Sequence, residues 1–289
     1  MSGPLLAVDT PWLLYRSHFG LPSSIRGAGG QRVGALLGTV NTILALVEWC
    51  SPRVVVCCLG AEEAAYRVAL YPPYHAHRDP MPDELRTQWE QAPPLLEALG
   101  WTLSAHDTLE ADDLMWSHSR VEGAAGGRTL ICSGDRDLLQ AVDERTEVVE
   151  LRRDAPPGRI GAEEVLARSC VRPDQIPDLI ALRGDPSDGL PGARGVGAKT
   201  AAALLAEHGT LEGVLAATAE LRPRIAEALV EQADQLRAFR EIAVLQDVAV
   251  ERPPDGATDR VRGAAAAREL GMNGLAGRLE AGGGGADAG

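Results

Sequence analysis

The apolar residues along this chain first fall into short unbroken runs and later into helical spacing. Leu5-Leu6-Ala7-Val8 leads into Asp9, and Arg53 to Leu59 is a β-branched run of the kind found in strands buried on both faces. Thr129–Cys132 and Glu147–Leu151 supply two further strands. Between them, 33–49 carries apolar residues at helical spacing, 82–99 reads as a helix broken at Pro93-Pro94, and helices open at Glu110 and Asp137. Alternation of this kind predicts a parallel α/β sheet. Beyond about residue 160 the strand signal ends. Segments 162–170, 174–183, 198–207, 211–217 and 222–247 read as helices joined by turns. The expected organisation is an α/β domain over 1–160, a helical subdomain over 161–279 and a disordered glycine-rich tail over 280–289.

Charge changes this picture in one place. The net charge is −13, which argues against a generally basic nucleic-acid binder. Eight of the acids gather in four segments: Asp9; Glu110, Asp112 and Asp113 in LEADDL; Asp135 and Asp137 in SGDRDL; Asp185 and Asp188 in GDPSDGLPG. Carboxylates following parallel strands point into the crevice where such sheets bind ligands. Taken singly, each segment has an ordinary explanation as a helix cap, a first-turn acid or a turn. Together they call for cations between them. Hard oxygen ligands suit Mg²⁺ or Mn²⁺, the metals of phosphate chemistry. The expected reaction is metal-dependent chemistry on phosphodiesters.

Two further segments bear on nucleic acid. GARGVGAKT at 192–200 lacks the glycine that a P-loop requires before its lysine, and the third glycine of a dinucleotide fingerprint. What remains is a glycine-rich turn between helices, holding the chain's one lysine, Lys199. It is either a plain connection or a grip on a DNA phosphate. Tyr66-Arg67 and LYPPYHAHR at 70–78 interleave aromatic and basic groups, which suits stacking and phosphate clamping or simple packing. Five cysteines without metal-ligand spacing read as reduced, buried thiols. The absence of an apolar run of membrane length and of a signal peptide near residue 1 predicts a cytoplasmic, nucleoid-associated protein.

The order LLAVDT, YRVALYPPYHAHRDPMPDEL, LEADDL, SGDRDLLQ, ALRGDPSDGLPGARGVGAKTA resembles the 5′-nuclease family. That family includes flap endonucleases and the 5′→3′ exonuclease domain of bacterial DNA polymerase I. No polymerase segment follows, so the resemblance is to a stand-alone version. It implies a twisted parallel sheet flanked by helices, an arch over the active site near 75–95, and a helix–three-turn–helix motif that binds duplex DNA. It also implies two or three Mg²⁺ or Mn²⁺ ions held by Asp9, Glu110, Asp112, Asp113, Asp135, Asp137, Asp185 and Asp188. Arg67, Arg78 and His75 would act on the scissile phosphate. Tyr74, Gly195, Gly197, Lys199 and Thr200 would meet DNA, with K⁺ bound at the turn. The implied substrates are 5′ flaps, duplexes with 5′ ends and branched DNA.

Two positions depart from the family pattern. Leu59-Gly60 stands where Phe-Asp is usual, and His75 replaces a lysine. Glu62 or Glu63 is placed to supply the missing carboxylate. The departures keep a second reading open, a weakened relative that binds branched DNA without cutting it. A metal-dependent ribonuclease is the third.

Overall fold

A computed structural model describes residues 3–283. The first half runs β1 (Leu5–Asp9), α1 (Thr10–Gly20), α2 (Gly34–Cys50), β2 (Val54–Leu59), α3 (Ala65–Leu70), α4 (Asp83–Ala98), β3 (Thr102–Ala105) and α5 (Ala111–Ala124). The second runs β4 (Thr129–Cys132), β5 (Thr146–Glu150), β6 (Gly158–Ile160), α6 (Ala162–Ser169), α7 (Ile176–Arg183), α8 (Ala198–His208), α9 (Leu211–Ala216), α10 (Pro223–Ala243), α11 (Arg260–Glu269) and α12 (Asn273–Gly283). The six strands lie in the order β3-β2-β1-β4-β5-β6, parallel except that β6 runs antiparallel to β5.

The period-two geometry of the strands sorts the core into two layers. Leu5 and Ala7 of β1, with Val54, Val56, Ile131 and Val148, pack against α5 and the helices of the second half. Leu6 and Val8, with Val55, Cys57, Leu130 and Val149, pack against α1, α2 and α4. Buried Gln88 of α4 joins two of these helices, its Oε1 accepting from the backbone N–H of Ala35 (2.8 Å) and Leu36 (3.4 Å). Those are first-turn donors of α2 that the helix itself leaves unpaired.

Several expectations are corrected. Helix α4 continues through Pro93 and Pro94 without a break; its two prolines cost two helical hydrogen bonds, and buried Ala92, Leu95 and Leu96 hold the remainder in place. The helix expected from Asp137 is one short 3₁₀ segment, Asp137–Ala141. Residues 260–279, expected in the helical subdomain, return to the α2–α4 face, where Ala264, Ala267, Leu275 and Leu279 join that core. Of the expected tail, 280–283 continue α12 and 284–289 lie outside the described residues. Cys57, Cys58 and Cys132 are buried as expected, whereas Cys170 is exposed.

The link back to the sheet is pinned by charge. Arg53 donates from Nε to Glu122 Oε1 (2.9 Å) and from Nη1 to the Pro253 carbonyl (2.9 Å) and Asp255 (2.8 Å); Arg252 also binds Glu122, at 2.9 Å. Among the described residues no helix is long and apolar enough to cross a membrane.

Candidate active site at the switch point of the sheet

Strand β1 has β2 on one side and β4 on the other. Successive connections therefore leave β1 in opposite directions, and a crevice opens at the carboxyl ends of β1 and β4. A cleft of about 1190 Å³ occupies it. Asp9, Asp112, Asp135, Asp137, Asp185 and Asp188 line this cleft, with Glu110 at its edge. Four segments distant in sequence thus meet in one cavity.

Each carboxylate is positioned by local structure. Asp9 ends β1 and caps α1, its Oδ1 accepting from the Trp12 N–H at 2.9 Å. Its Oδ2 accepts from the Ser133 hydroxyl at 2.6 Å, and Ser133 Oγ in turn accepts from the Asp135 N–H at 3.0 Å. Asp135 Oδ1 accepts from the Asp137 N–H at 2.8 Å. Asp112 lies in the first turn of α5. A two-residue bridge, Asp185 to Leu190, shapes the loop after α7, and Asp185 Oδ1 accepts from the Ser187 N–H at 2.8 Å.

Crowding the acids in a sheltered cleft resists their ionisation. Burial, partly offset by the bonds from Ser133 and Trp12, pushes Asp9 up to about 6. Burial and the charges of Asp188, Asp9 and Asp185 carry Asp135 to about 7. Asp112 and Asp137 rise well above the usual carboxylate range, by burial first and by Asp135 next. An all-oxygen donor set that cannot fully ionise alone fits hard divalent cations. Among the described residues, no group of three or more His, Cys, Asp or Glu side chains is arranged to hold a metal directly. Carboxylates that share a cleft without forming such a group suit ions that keep part of their water, as Mg²⁺ does.

Other expected site residues are committed to partners within the protein. Asp113 is fully buried and committed: Oδ1 accepts from Arg67 (2.8 Å) and the Gln246 N–H (2.8 Å), Oδ2 from the Glu110 N–H (3.2 Å). It does not face the cleft. Glu110 Oε1 accepts from the Ala64 N–H at 2.8 Å and the Tyr74 hydroxyl at 3.2 Å, while Oε2 lies 3.0 Å from Arg67. Arg67 is itself buried, and its Nε donates to the Ile242 carbonyl at 3.0 Å. These three residues brace α5 and α10 around the cleft. Tyr74 is buried with its ring stacked on His75 at 3.8 Å, so that face is closed to a base. His75 sits in a left-handed turn (φ 57°) and its Nε2 lies 3.0 Å from Asp188 Oδ1; half-exposed Arg78 reaches the same oxygen at 3.2 Å.

Gly60 has a steric reason. A Cβ there would lie 2.4 Å from the Ala111 nitrogen and the Glu110 carbonyl carbon. The start of α5 fills the space that an aspartate side chain would need. Glu62 lines the cleft and Glu63 does not.

The glycine-rich turn lies beside the cleft, which Ala198 borders. Gly195 adopts φ 78°, open space surrounds both Gly195 and Gly197, and Lys199 is exposed in the first turn of α8, followed by half-buried Thr200. Buried Val196 anchors the turn from below.

Sequence reasoning missed an aromatic wall of the cleft. Trp12, Tyr15, Phe19 and Trp89 line the cleft; Tyr15 stacks on Phe19 at 6.3 Å and meets Trp89 edge-on at 6.5 Å. Phe19 is 71% exposed. Positions 12, 15 and 19 share one helical face, so the signal was available just after Asp9. Arg183, at the end of α7, was missed as well.

Comparison with known proteins agrees with this geometry. The 5′-3′ exonuclease N-terminal resolvase-like domain matches residues 4–169, and the 5′-3′ exonuclease C-terminal SAM fold matches 171–260. A 5′-3′ exonuclease of Mycobacterium tuberculosis is 32% identical, covering 97% of this chain and 98% of its own length. One from Streptomyces coelicolor is 35% identical over 76% and 77%. DNA polymerase I of Mycobacterium bovis is 32% identical over 87% of this chain, which spans only 28% of that enzyme. In fold, the chain is similar to the T5 D15 protein co-crystallised with metal ions (TM-score 0.69, 16% identity, 96% and 97% covered). It is also similar to the catalytic core of Rad2 in complex with DNA substrate (0.65, 13%, 97% and 91%). By both of its halves, this chain belongs to the 5′-3′ exonuclease family.

Proposed function

We propose that this chain is a divalent-metal-dependent, structure-specific 5′ nuclease that hydrolyses DNA phosphodiesters at 5′ ends and flap junctions. The observation that carries the reading is the meeting of six aspartates in one cleft at the sheet's switch point. Asp9, Asp112, Asp135 and Asp137 would hold Mg²⁺ or Mn²⁺ on the strand side, and Asp185 and Asp188 on the α7 side. Cations held there would supply charge neutralisation for the phosphate and activation of water.

The chain's own groups do the rest. Ser133 fixes Asp9 and the Asp135 backbone in one arrangement. Arg67 holds Glu110 and Asp113, and with them the start of α5 that presents Asp112. His75 and Arg78 set the orientation of Asp188. The aromatic wall offers π faces to unpaired bases and shelters the cleft from water. On the outer side, the turn carrying Gly195, Gly197, Lys199 and Thr200 grips a duplex phosphate through its backbone N–H groups, with K⁺ beside it. Residues 75–95, continuous with the cleft wall, serve as the arch. A role in DNA replication and repair, in the cytoplasm, is part of this proposal; similarity to polymerase I over 87% of the chain supports it.

Gly60 and His75 favour one rival, a branched-DNA-binding protein that no longer cuts. A 5′-labelled flap duplex and a single-stranded RNA, each with Mg²⁺, Mn²⁺ or EDTA, separate the readings. Metal-dependent products at the junction or 5′ end of DNA support the nuclease. Tight flap binding without products supports the rival, and preferential cleavage of RNA refutes both.

A further inference from the structure

Five basic side chains line the cleft among the described residues: Arg67, His75, Arg78, Arg136 and Arg183. Arg67 is bound to Glu110, Asp113 and the Ile242 carbonyl, so phosphate can reach it only by displacing a carboxylate. His75 and Arg78 share Asp188 Oδ1. Arg136 is exposed at the rim, between Asp135 and Asp137 in sequence. Arg183 is more buried than Arg136, and unlike Arg67, His75 and Arg78 it has no close carboxylate. Its side chain is largely buried beside the acids, yet its closest carboxylate, Asp185 Oδ2, stands 3.5 Å from Nη2, beyond a good charge-assisted bond. Its Nε is buried and has no hydrogen-bond partner. Asp185 meanwhile gives its other oxygen to Ser187.

A buried guanidinium with an idle donor is a costly arrangement unless something else takes the bond. The last residue of α7 precedes the Gly184 turn and the two cleft aspartates of that loop, so Arg183 is carried by a helix and not by a mobile loop. It lines the same cleft as the strand-side and α7-side acids.

Building on the nuclease reading, we infer that Arg183 is the cation that meets the scissile phosphate, the role left open where His75 stands in place of the family's lysine. Without metal it is drawn weakly toward Asp185. If Asp185 held a divalent ion, the planar guanidinium of Arg183 would be free to offer two parallel N–H groups to a non-bridging phosphate oxygen pair, a geometry that arginine matches and lysine does not. Charge developing on those oxygens in the transition state strengthens the bond, so the contribution falls on turnover and not on DNA affinity.

The test compares wild type, Arg183→Met and Arg183→Lys under single-turnover conditions with a 5′-flap duplex and Mn²⁺. Flap affinity is measured in Ca²⁺, and the Mn²⁺-induced rise in Tm without DNA is recorded for each. The expected result is a cleavage rate about 100-fold lower in Arg183→Met, the size of loss seen when one transition-state donor is removed. Flap affinity should stay within about threefold, the metal-induced Tm rise should be unchanged, and Arg183→Lys should recover only part of the rate. A wild-type rate in Arg183→Met overturns the inference. So does a rate loss that tracks a lost metal-induced Tm rise, which would make Arg183 a strut for the acid cluster. A wild-type protein that cuts no DNA overturns the nuclease reading and this inference with it.

Discussion

The Ser133 hydroxyl donates to Asp9 Oδ2 at 2.6 Å and joins the end of β1 to the end of the neighbouring β4. That bond favours the charged form of Asp9, against a burial that pushes the group up to about 6. Replacing Ser133 by Ala should raise Asp9 further and make it a poorer ligand at neutral pH. The Mn²⁺ midpoint in thermal melting at pH 7 should rise about five- to tenfold, equivalent to ~1 kcal/mol, with the fold intact. An unchanged midpoint would remove Asp9 from the metal site.

Carboxylates with raised values bind protons in the folded state that the unfolded chain has released. Stability of the metal-free protein should therefore fall as pH rises from about 4 through the range near 6 and 7 where Asp9 and Asp135 ionise. Saturating Mg²⁺ should flatten that fall. Melting curves in EDTA and in Mg²⁺ across pH 5–8 check the sign, and two parallel profiles would mean that the cluster binds no cation.

Gly60→Asp restores the residue usual in the family but not its function. Its Cβ would collide with the backbone of Glu110 and Ala111, so the start of α5 would have to shift. We expect a loss of about 2–4 kcal/mol in denaturant unfolding and no gain in metal affinity. A stable variant with tighter Mn²⁺ binding would contradict the packing described here.

Glu122 neutralises buried Arg53 and also holds Arg252, fastening the return segment to the sheet. Glu122→Gln leaves the Arg53 charge without its buried partner and should cost about 3–5 kcal/mol by urea unfolding. Cleavage at low temperature should persist, because no group in this network borders the cleft.

Much of this was legible in the chain. The runs 5–8 and 53–59 are buried on both faces, and such strands announce themselves by unbroken apolarity. Strand β3 is a half-exposed edge strand, TLSA, with too little apolar content to stand out. The cluster of acids was visible, but the division of labour within it was not. Asp112 and Asp113 are neighbours in sequence, yet one faces the cleft while the other is spent on Arg67 and Gln246. Those partners lie 46 and 133 residues away, and no local pattern encodes them. The internal partners of Tyr74 and Arg67 were hidden for the same reason: their aromatic and basic character is local, and their burial is tertiary.

Asp137 offers the most direct test of the central claim, since it faces the cleft, begins its own short 3₁₀ segment and lies far from the Gly195–Lys199 turn in sequence. Cleavage and binding of a 5′-flap duplex should be measured for wild type and Asp137→Asn with Mn²⁺. The nuclease reading predicts junction cleavage by the wild type, its loss by at least about 100-fold in the variant, and flap affinity preserved within a few-fold. Wild-type cleavage by Asp137→Asn would contradict it.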